Sequence, residues 1–196
     1  MIAPQAGVGL RQLDNTFMKP AARIALVLVT VAVTVGCDLK TKSLAREHLP
    51  GQDTLSFLGD TIRLDYTENP GAFLGLGGSL SSRWRTALFS TGAALGIAAI
   101  LGCALFVPRL GTARFLALTL IGSGGIGNVI DRVWYDGYVR DFLNIGLGPV
   151  RSGIFNVADV LLVAGCVLFF VVREEGLQSR HGSWSSGPGN GVAGTP

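Results

Sequence analysis

The chain alternates between long apolar stretches and short polar connections, and four stretches have the length of a membrane-crossing helix. They cover residues 21–42, 86–107, 113–130 and 154–172. A helix needs roughly 20 mainly apolar residues to cross the hydrocarbon core of a bilayer. We therefore predict an all-α membrane protein with four transmembrane helices. The third stretch contains Gly122-Ser123-Gly124-Gly125, where small side chains would let a neighbouring helix approach closely.

One polar connection has the pattern of a β-strand. Ile62, Leu64 and Tyr66 alternate with polar residues, as in a strand that is buried on one face. We expect a small extracytoplasmic region of β-sheet and loops here. The Asn69-Pro70-Gly71 sequence that follows indicates a turn or an irregular loop.

Basic residues at and beyond the ends of the apolar stretches predict the orientation of the chain. Cytoplasmic connections carry an excess of Lys and Arg, and this excess favours the two ends and the second-to-third connection: Arg11, Lys19, Arg23, Arg109, Arg114, Arg173 and Arg180. Both termini are therefore predicted to be cytoplasmic, although Arg83 and Arg85 oppose this orientation. We expect a flexible arm at 1–20, a membrane domain at 21–173 and a disordered tail at 174–196.

Composition supports the membrane interpretation and excludes several function classes. Hydrophobic residues make up 48% of the chain and charged residues only 15%, with a mean hydropathy of +0.46, whereas soluble domains carry about 25% charge. The net charge of +3 comes from scattered Lys and Arg residues, so we expect no nucleic-acid partner. Two His and three widely separated Cys residues form no metal-binding motif, so no metal is expected.

Two aspartates, Asp141 and Asp159, lie at the edges of apolar stretches. A carboxylate at membrane depth costs at least about 2.5–3.5 kcal/mol, which marks it as a candidate for function. Two neighbouring carboxylates share one proton, so one can take a proton from water while the other donates one to a carbonyl oxygen. Aspartic peptidases use this chemistry without a metal or a covalent intermediate.

Polar residues near the two aspartates share helix faces with one another. Asn128 and Arg132 are four residues apart, and Asn156 and Asp159 are three apart. Two helices could therefore present these side chains to one site, with Asp141 arriving from the loop between them.

Other roles for the aspartates remain open at this point. Asp131 is expected to pair with Arg132 at a helix end, and Asp136, before Gly137, is typical of a turn. The catalytic candidates could themselves be structural, because Arg132, Arg140 or Lys42 could pair with them to hold helices together.

Five motifs in order resemble those of bacterial lipoprotein signal peptidase, signal peptidase II. They are Asp38-Leu39-Lys40-Thr41-Lys42, Asn69-Pro70-Gly71-Ala72, Gly124-Gly125-Ile126-Gly127-Asn128-Val129-Ile130-Asp131-Arg132, Val139-Arg140-Asp141-Phe142 and Phe155-Asn156-Val157-Ala158-Asp159. The resemblance implies a four-helix aspartic peptidase of the inner membrane. Its substrates would be prolipoproteins with a diacylglyceryl-cysteine, cleaved just before that cysteine.

The resemblance also implies roles for individual residues. Asp141 and Asp159 match the catalytic pair, and six residues match those that line or support the site: Asp38, Lys42, Asn69, Asn128, Arg132 and Asn156. The site would lie near the outer face, need no cofactor, and have prolipoproteins and membrane lipids as partners. The sequence departs from the family motif at Gly71–Gly75, which could shape the substrate groove differently.

Two other functions are compatible with parts of the sequence. The apolar run that ends at Cys37 partly resembles a lipoprotein signal, so the chain could be a substrate rather than the enzyme. Alternatively, a small transporter could use Asp131, Asp141 and Asp159 as a proton pathway. Against the first, such a signal usually has Leu where Thr34 stands, and three further apolar stretches follow Cys37. The second does not explain the five ordered motifs.

Overall fold

The computed structural model describes residues 18–70, 81, 83–84, 87–108 and 110–172. These residues form α1 (Pro20–His48), β1 (Leu55–Phe57), β2 (Ile62–Asn69), α2 (Gly92–Phe106), α3 (Thr112–Trp134), β3 (Val139–Leu147), β4 (Val150–Arg151) and α4 (Val157–Val171). A π-helical turn, Ala87–Thr91, leads directly into α2. The Gly71–Gly75 segment and most of the predicted arm and tail lie outside the described residues.

Among the described residues, three helical segments are long and apolar enough to cross a membrane. They are α1 with 29 residues, Ala87–Phe106 with 20 and α3 with 23, whereas the apolar α4 has 15 residues. Large apolar side chains such as Leu28, Leu95 and Phe170 are exposed along the helices, as expected for surfaces in contact with lipid. The prediction of a mainly helical membrane protein with a small sheet is therefore confirmed, with three candidate membrane helices.

Local sequence explains where the helices begin and end. Pro20 occupies the first turn of α1, where its missing N–H is not needed. This helix runs beyond the predicted end at residue 42 to His48. Pro50 follows shortly afterwards and has no N–H to continue the helical hydrogen bonds. Pro108 similarly follows α2, and the Asn156 side chain caps the first turn of α4.

The glycines of α3 allow the other helices to pack closely around it. A Cβ at Gly124 would lie 2.5 Å from the carbonyl oxygen of Ala158 in α4, and a Cβ at Gly125 would lie 2.7 Å from the Ile97 side chain in α2. The predicted close approach at this glycine run is confirmed. Helix α3 therefore occupies the centre of the helical bundle.

One end of the bundle contains the apolar core and a buried arginine. Val27, Ala104 and Phe115 are buried together there. Arg23 is only 4% exposed, and its guanidinium donates hydrogen bonds to the carbonyl oxygens of Val107 (2.6 Å) and Leu110 (3.0 Å). Arg23 was predicted only to flank the first span, and the structure shows that it also binds the carbonyls that follow α2.

The opposite end of the bundle carries a four-stranded antiparallel sheet in the order β1-β2-β3-β4. The predicted strand is confirmed, with its apolar residues half-buried. An irregularity in the β2–β3 pairing lies between Leu64 and Thr67, after which Thr67 lies opposite Asp141. The prediction that Asp141 lies in a loop is wrong, because the long-range pairing of β3 with β2 makes this segment a strand.

Candidate active site

Two secondary-structure elements bring Asp141 and Asp159 to the same end of the bundle. Asp141 lies in β3 and is 2% exposed, whereas Asp159 lies in the first turn of α4 and is half-buried. The backbones of Leu143 and Phe155 exchange two hydrogen bonds of 2.8 Å. This bridge fixes the start of α4 against β3, so that the next residue, Asn156, lies beside Asp141.

Side-chain amides hold both carboxylates. Asp141 accepts hydrogen bonds from Asn69 Nδ2 (3.1 Å, at Oδ2) and from Asn156 Nδ2 (2.6 Å, at Oδ1). Asp159 Oδ1 accepts one from Asn128 Nδ2 (2.9 Å). Neutral donors therefore orient the two carboxylates without contributing a formal charge.

Asn156 connects helix capping to the site. Its side-chain oxygen accepts from the backbone N–H of Asp159 (3.1 Å), and its own backbone N–H donates to Asp159 Oδ2 (3.1 Å). This reciprocal pair is a capping box, which stabilises the start of a helix. Because the Asn156 amide nitrogen also binds Asp141 and Asn128 Oδ1, one fully buried side chain joins the two carboxylates.

Burial raises the pKa of Asp141 to about 6. The hydrogen bond from Asn69 opposes this increase because it stabilises the ionised form, and the negative charge of Asp159 adds to it. The carboxyl of Asp141 thus holds a proton at a pH where an exposed aspartate has lost it.

A second cluster of charged side chains lies directly behind the carboxylates. Lys42 is fully buried, and its Nζ lies 2.7 Å from Asp38 Oδ2 and 3.2 Å from Asp131 Oδ2. The Arg140 guanidinium lies 2.6 Å from Asp131 Oδ1. Burying such ions is costly unless they are paired, and these two cations are paired with two anions.

This cluster corrects two expectations about ion pairs. Asp131, expected to pair with Arg132, contacts Arg140 and Lys42 instead, because the turn after α3 brings β3 back alongside the end of the helix. The sequence also allowed Lys42 or Arg140 to pair with the catalytic candidates, Asp141 and Asp159. Both cations form their ion pairs with Asp38 and Asp131 instead.

Arg132 lies one helical turn after Asn128, and the two residues share a face of α3 as predicted. Its guanidinium donates to the backbone oxygen of Asn128 at 3.2 Å. Its positive charge is close enough to attract Asp159 and Asp141. Asp136 lies in a turn, as predicted, with a positive φ of 50°.

The structure brings all eight residues predicted for the site to one end of the bundle. It adds two residues that the sequence did not assign to the peptidase site, Asp131 and Arg140. The guanidinium carbon of Arg140 also lies 4.3 Å from the centre of the Tyr135 ring. Their positions in the sequence could have indicated them, because Asp131 lies inside a motif and Arg140 directly precedes Asp141.

The arrangement suits proton transfer to and from a bound molecule. One carboxyl is almost completely buried and keeps its proton up to a pH of about 6, while the other is partly open to its surroundings. A water molecule and a carbonyl group placed between them could exchange protons with both.

Comparisons with known proteins identify relatives of the chain. A family model described as Signal peptidase (SPase) II matches residues 30–173. A lipoprotein signal peptidase of Mycobacterium leprae (strain Br4923) is 34% identical over 162 residues, covering 79% of this chain and 74% of the relative. One from Mycobacterium avium (strain 104) is 32% identical over 159 residues, covering 79% and 81%.

Two solved structures have a similar fold. Both are described as a bacterial membrane enzyme structure obtained by the in meso method, one at 2.3 Å and one at 1.9 Å resolution. Each has a TM-score of 0.66 and 24% identity, and covers 76% of this chain. The matches cover 87% and 92% of those chains.

Proposed function

The chain belongs to the signal peptidase II family, and we propose that it cleaves its substrates with Asp141 and Asp159 as the paired catalytic carboxylates. It is an aspartic endopeptidase of the lipoprotein signal peptidase type.

The observation that carries this proposal is the contrast between two groups of aspartates. Asp141 and Asp159 accept hydrogen bonds from neutral amides, whereas the buried cations Lys42 and Arg140 form their ion pairs with two other aspartates. A carboxylate neutralised by a contacting cation is a weak base and holds no proton to donate. A pair held by amides keeps the ability to share a proton.

The different environments of the two carboxyls assign their roles. Asp159, which is partly open, takes a proton from water as the water oxygen bonds to the scissile carbonyl carbon. Asp141, whose raised pKa keeps it protonated up to a pH of about 6, donates its proton to the carbonyl oxygen. In the second step Asp141 recovers that proton from the tetrahedral diol, and Asp159 protonates the amide nitrogen as the C–N bond breaks. The products are a carboxyl on the signal peptide and an amine on the cysteine.

The substrates are prolipoproteins with a diacylglyceryl-cysteine, cut just before that cysteine. Their acyl chains would lie in the bilayer among the exposed apolar side chains of the helices, with the scissile bond at the sheet end of the bundle. We place this end at the outer face of a bacterial inner membrane, with α4 as a fourth crossing. Both termini are then cytoplasmic, with residues 1–20 and 174–196 as an arm and a tail.

The alternative in which Cys37 is a lipidation site conflicts with the packing of α1. This helix is continuous through Cys37. Cleavage before Cys37 would remove Arg23 and Val27, both of which are buried against other helices. The chain is therefore better explained as the enzyme than as its substrate.

Peptide cleavage in detergent tests the proposed catalytic pair. Purified protein is incubated with a diacylglyceryl-modified prolipoprotein peptide, and the wild type is compared with Asp141→Asn and Asp159→Asn. We expect cleavage before the lipidated cysteine by the wild type and a loss of about 10²–10⁴-fold in each variant, the range that general acid–base catalysis contributes. Thermal unfolding shows whether each variant is folded.

Two further comparisons make the result specific. The same peptide without the lipid should be cleaved poorly, and activity in detergent excludes a function that depends on an ion gradient. Full activity of a folded Asp141→Asn or Asp159→Asn variant would reassign the catalytic carboxylates.

A further inference from the structure

Two buried aspartates outside the catalytic pair bind the backbone directly before each catalytic residue. Asp38 Oδ1 accepts a hydrogen bond of 2.9 Å from the N–H of Ala158, the residue before Asp159. Asp131 Oδ2 accepts one of 3.1 Å from the N–H of Arg140, which precedes the other catalytic carboxylate. The same relation therefore occurs at both carboxylates, although one lies on a helix and the other on a strand.

Lys42 joins these two anchors. Its ammonium group contacts Asp38, Asp131 and the side-chain oxygen of Asn128, at distances of 2.7, 3.2 and 2.9 Å. The ammonium group donates a hydrogen bond to Asn128 and lies within ion-pair distance of both carboxylates. Lys42 is fully buried, so it lies behind the site rather than in contact with a substrate.

The contact with Asn128 also decides which way that amide faces. An ammonium group donates hydrogen bonds but cannot accept them, so the amide oxygen of Asn128 must point at Lys42. The amide nitrogen is then left to face Asp159 Oδ1, where it donates at 2.9 Å. Without the lysine, this orientation would keep two described contacts, the hydrogen bond from Asn156 to the same oxygen and the one that Asn128 donates to Asp159.

We propose that Lys42 is a positioning residue that sets the geometry of the catalytic pair through Asn128, Asp38 and Asp131. It orients the donor to one carboxylate and holds together the anchors of both. This inference rests on the proposed function, because it requires Asp141 and Asp159 to be the catalytic pair.

The position of Gly127 supports the need for this close contact. A Cβ at this residue would overlap Asp38 Oδ2, the oxygen that contacts Lys42. Alanine at 127 would therefore displace the carboxylate of Asp38 without removing any charge from the cluster.

Replacement of Lys42 by methionine tests the proposal directly, because methionine keeps a flexible stem and removes the charge. We expect Lys42→Met to lower kcat by about 10²-fold, the effect of a misplacement of roughly 1 Å, and to change KM less than about threefold. Lys40→Met is the matched control, because Lys40 lies on the same helix but is exposed. It should keep the wild-type kcat.

A double-mutant cycle separates positioning from a general loss of structure. Because part of the effect of Lys42 passes through Asn128, Lys42→Met should lower kcat clearly less in the Asn128→Ala background than in the wild type. Independent structural damage would instead multiply the two losses. A multiplied loss, or a raised KM with unchanged kcat, would overturn the proposal.

Gly127→Ala provides a second test that does not depend on the folding of the lysine variant. It should lower kcat at least about tenfold, since it shifts Asp38 and with it the anchor of Ala158. Wild-type kcat in folded Gly127→Ala or Lys42→Met would show that the cluster is only a scaffold. If the wild type itself does not cleave the lipidated peptide, the proposed function fails instead, so the two failures are distinguishable.

Discussion

Asn156 offers a test in which stability and activity can be separated at a single position. Its oxygen caps α4, while its amide nitrogen binds Asp141 and Asn128. Serine is a good N-cap residue but has no amide group to reach Asp141. We therefore compare Asn156→Ser, which keeps the cap and loses the contact with the site, with Asn156→Ala, which loses both.

The magnitudes follow from the separate interactions. A lost N-cap costs about 1 kcal/mol of unfolding free energy, so Asn156→Ala should melt roughly 2–4 °C below Asn156→Ser. A hydrogen bond to a charged group contributes about 1.5–3 kcal/mol. If that bond is fully needed in the transition state, both variants should lose activity by about 10- to 150-fold.

Thermal unfolding in detergent and initial rates of cleavage of the lipidated peptide measure the two effects. Rates are compared at a temperature where both variants are fully folded. Wild-type activity of Asn156→Ser would refute the role of the amide in the site. Equal melting temperatures of the two variants would refute the role of the oxygen as the cap that stabilises α4.

Three further predictions concern the pH profile, the buried arginine and the helix packing. The value of kcat/KM should fall as the pH rises through about 6, where Asp141 loses the proton that it donates. Asn69→Ala should move this decline to higher pH, because the hydrogen bond from Asn69 stabilises the ionised form of Asp141. Arg23→Met should lower the unfolding free energy by about 1.5–3 kcal/mol, since it leaves the carbonyl oxygens that follow α2 without their donor. Gly124→Ala should destabilise by about 1–3 kcal/mol, because the added carbon meets backbone atoms of α4.

Each of these predictions has a control or a contradicting result. A decline that moves to lower pH in Asn69→Ala would contradict the assigned effect on Asp141. Lys19→Met, close to Arg23 in sequence, should leave the melting temperature unchanged. Gly96→Ala is the control for Gly124→Ala, because a Cβ at Gly96 meets nothing within 4 Å, and it should be neutral or slightly stabilising.

The sequence predicted the helical part of the fold because apolar length is a local property. The stretches at 21–42 and 113–130 correspond to α1 and α3, and the glycine run correctly marked close helix contacts. The helix faces were also predictable, since Asn128 and Arg132 share a face through simple spacing.

The parts that were missed depend on contacts between distant segments. Asp141 was expected in a loop because its strand becomes evident only through pairing with β2, about 70 residues earlier. The pairing of Asp131 with Arg140 rather than Arg132 depends on how the chain turns after α3. Spacing along the sequence contains no information on these directions, so the anchoring cluster could not be predicted in detail.

The capping box of α4 has a consequence for the biogenesis of the protein. Synthesis proceeds from the N-terminus, and Asn156 and Asp159 belong to the last helix of the described chain. While the segment that contains Asn156 and Asp159 is still in the ribosome, Asp141 has already been synthesised. At this stage Asp141 lacks both the carboxylate of Asp159 and the Asn156 amide that binds it at 2.6 Å. With the proposed catalytic pair, the capability to cut other proteins therefore arises only when α4 has joined the bundle.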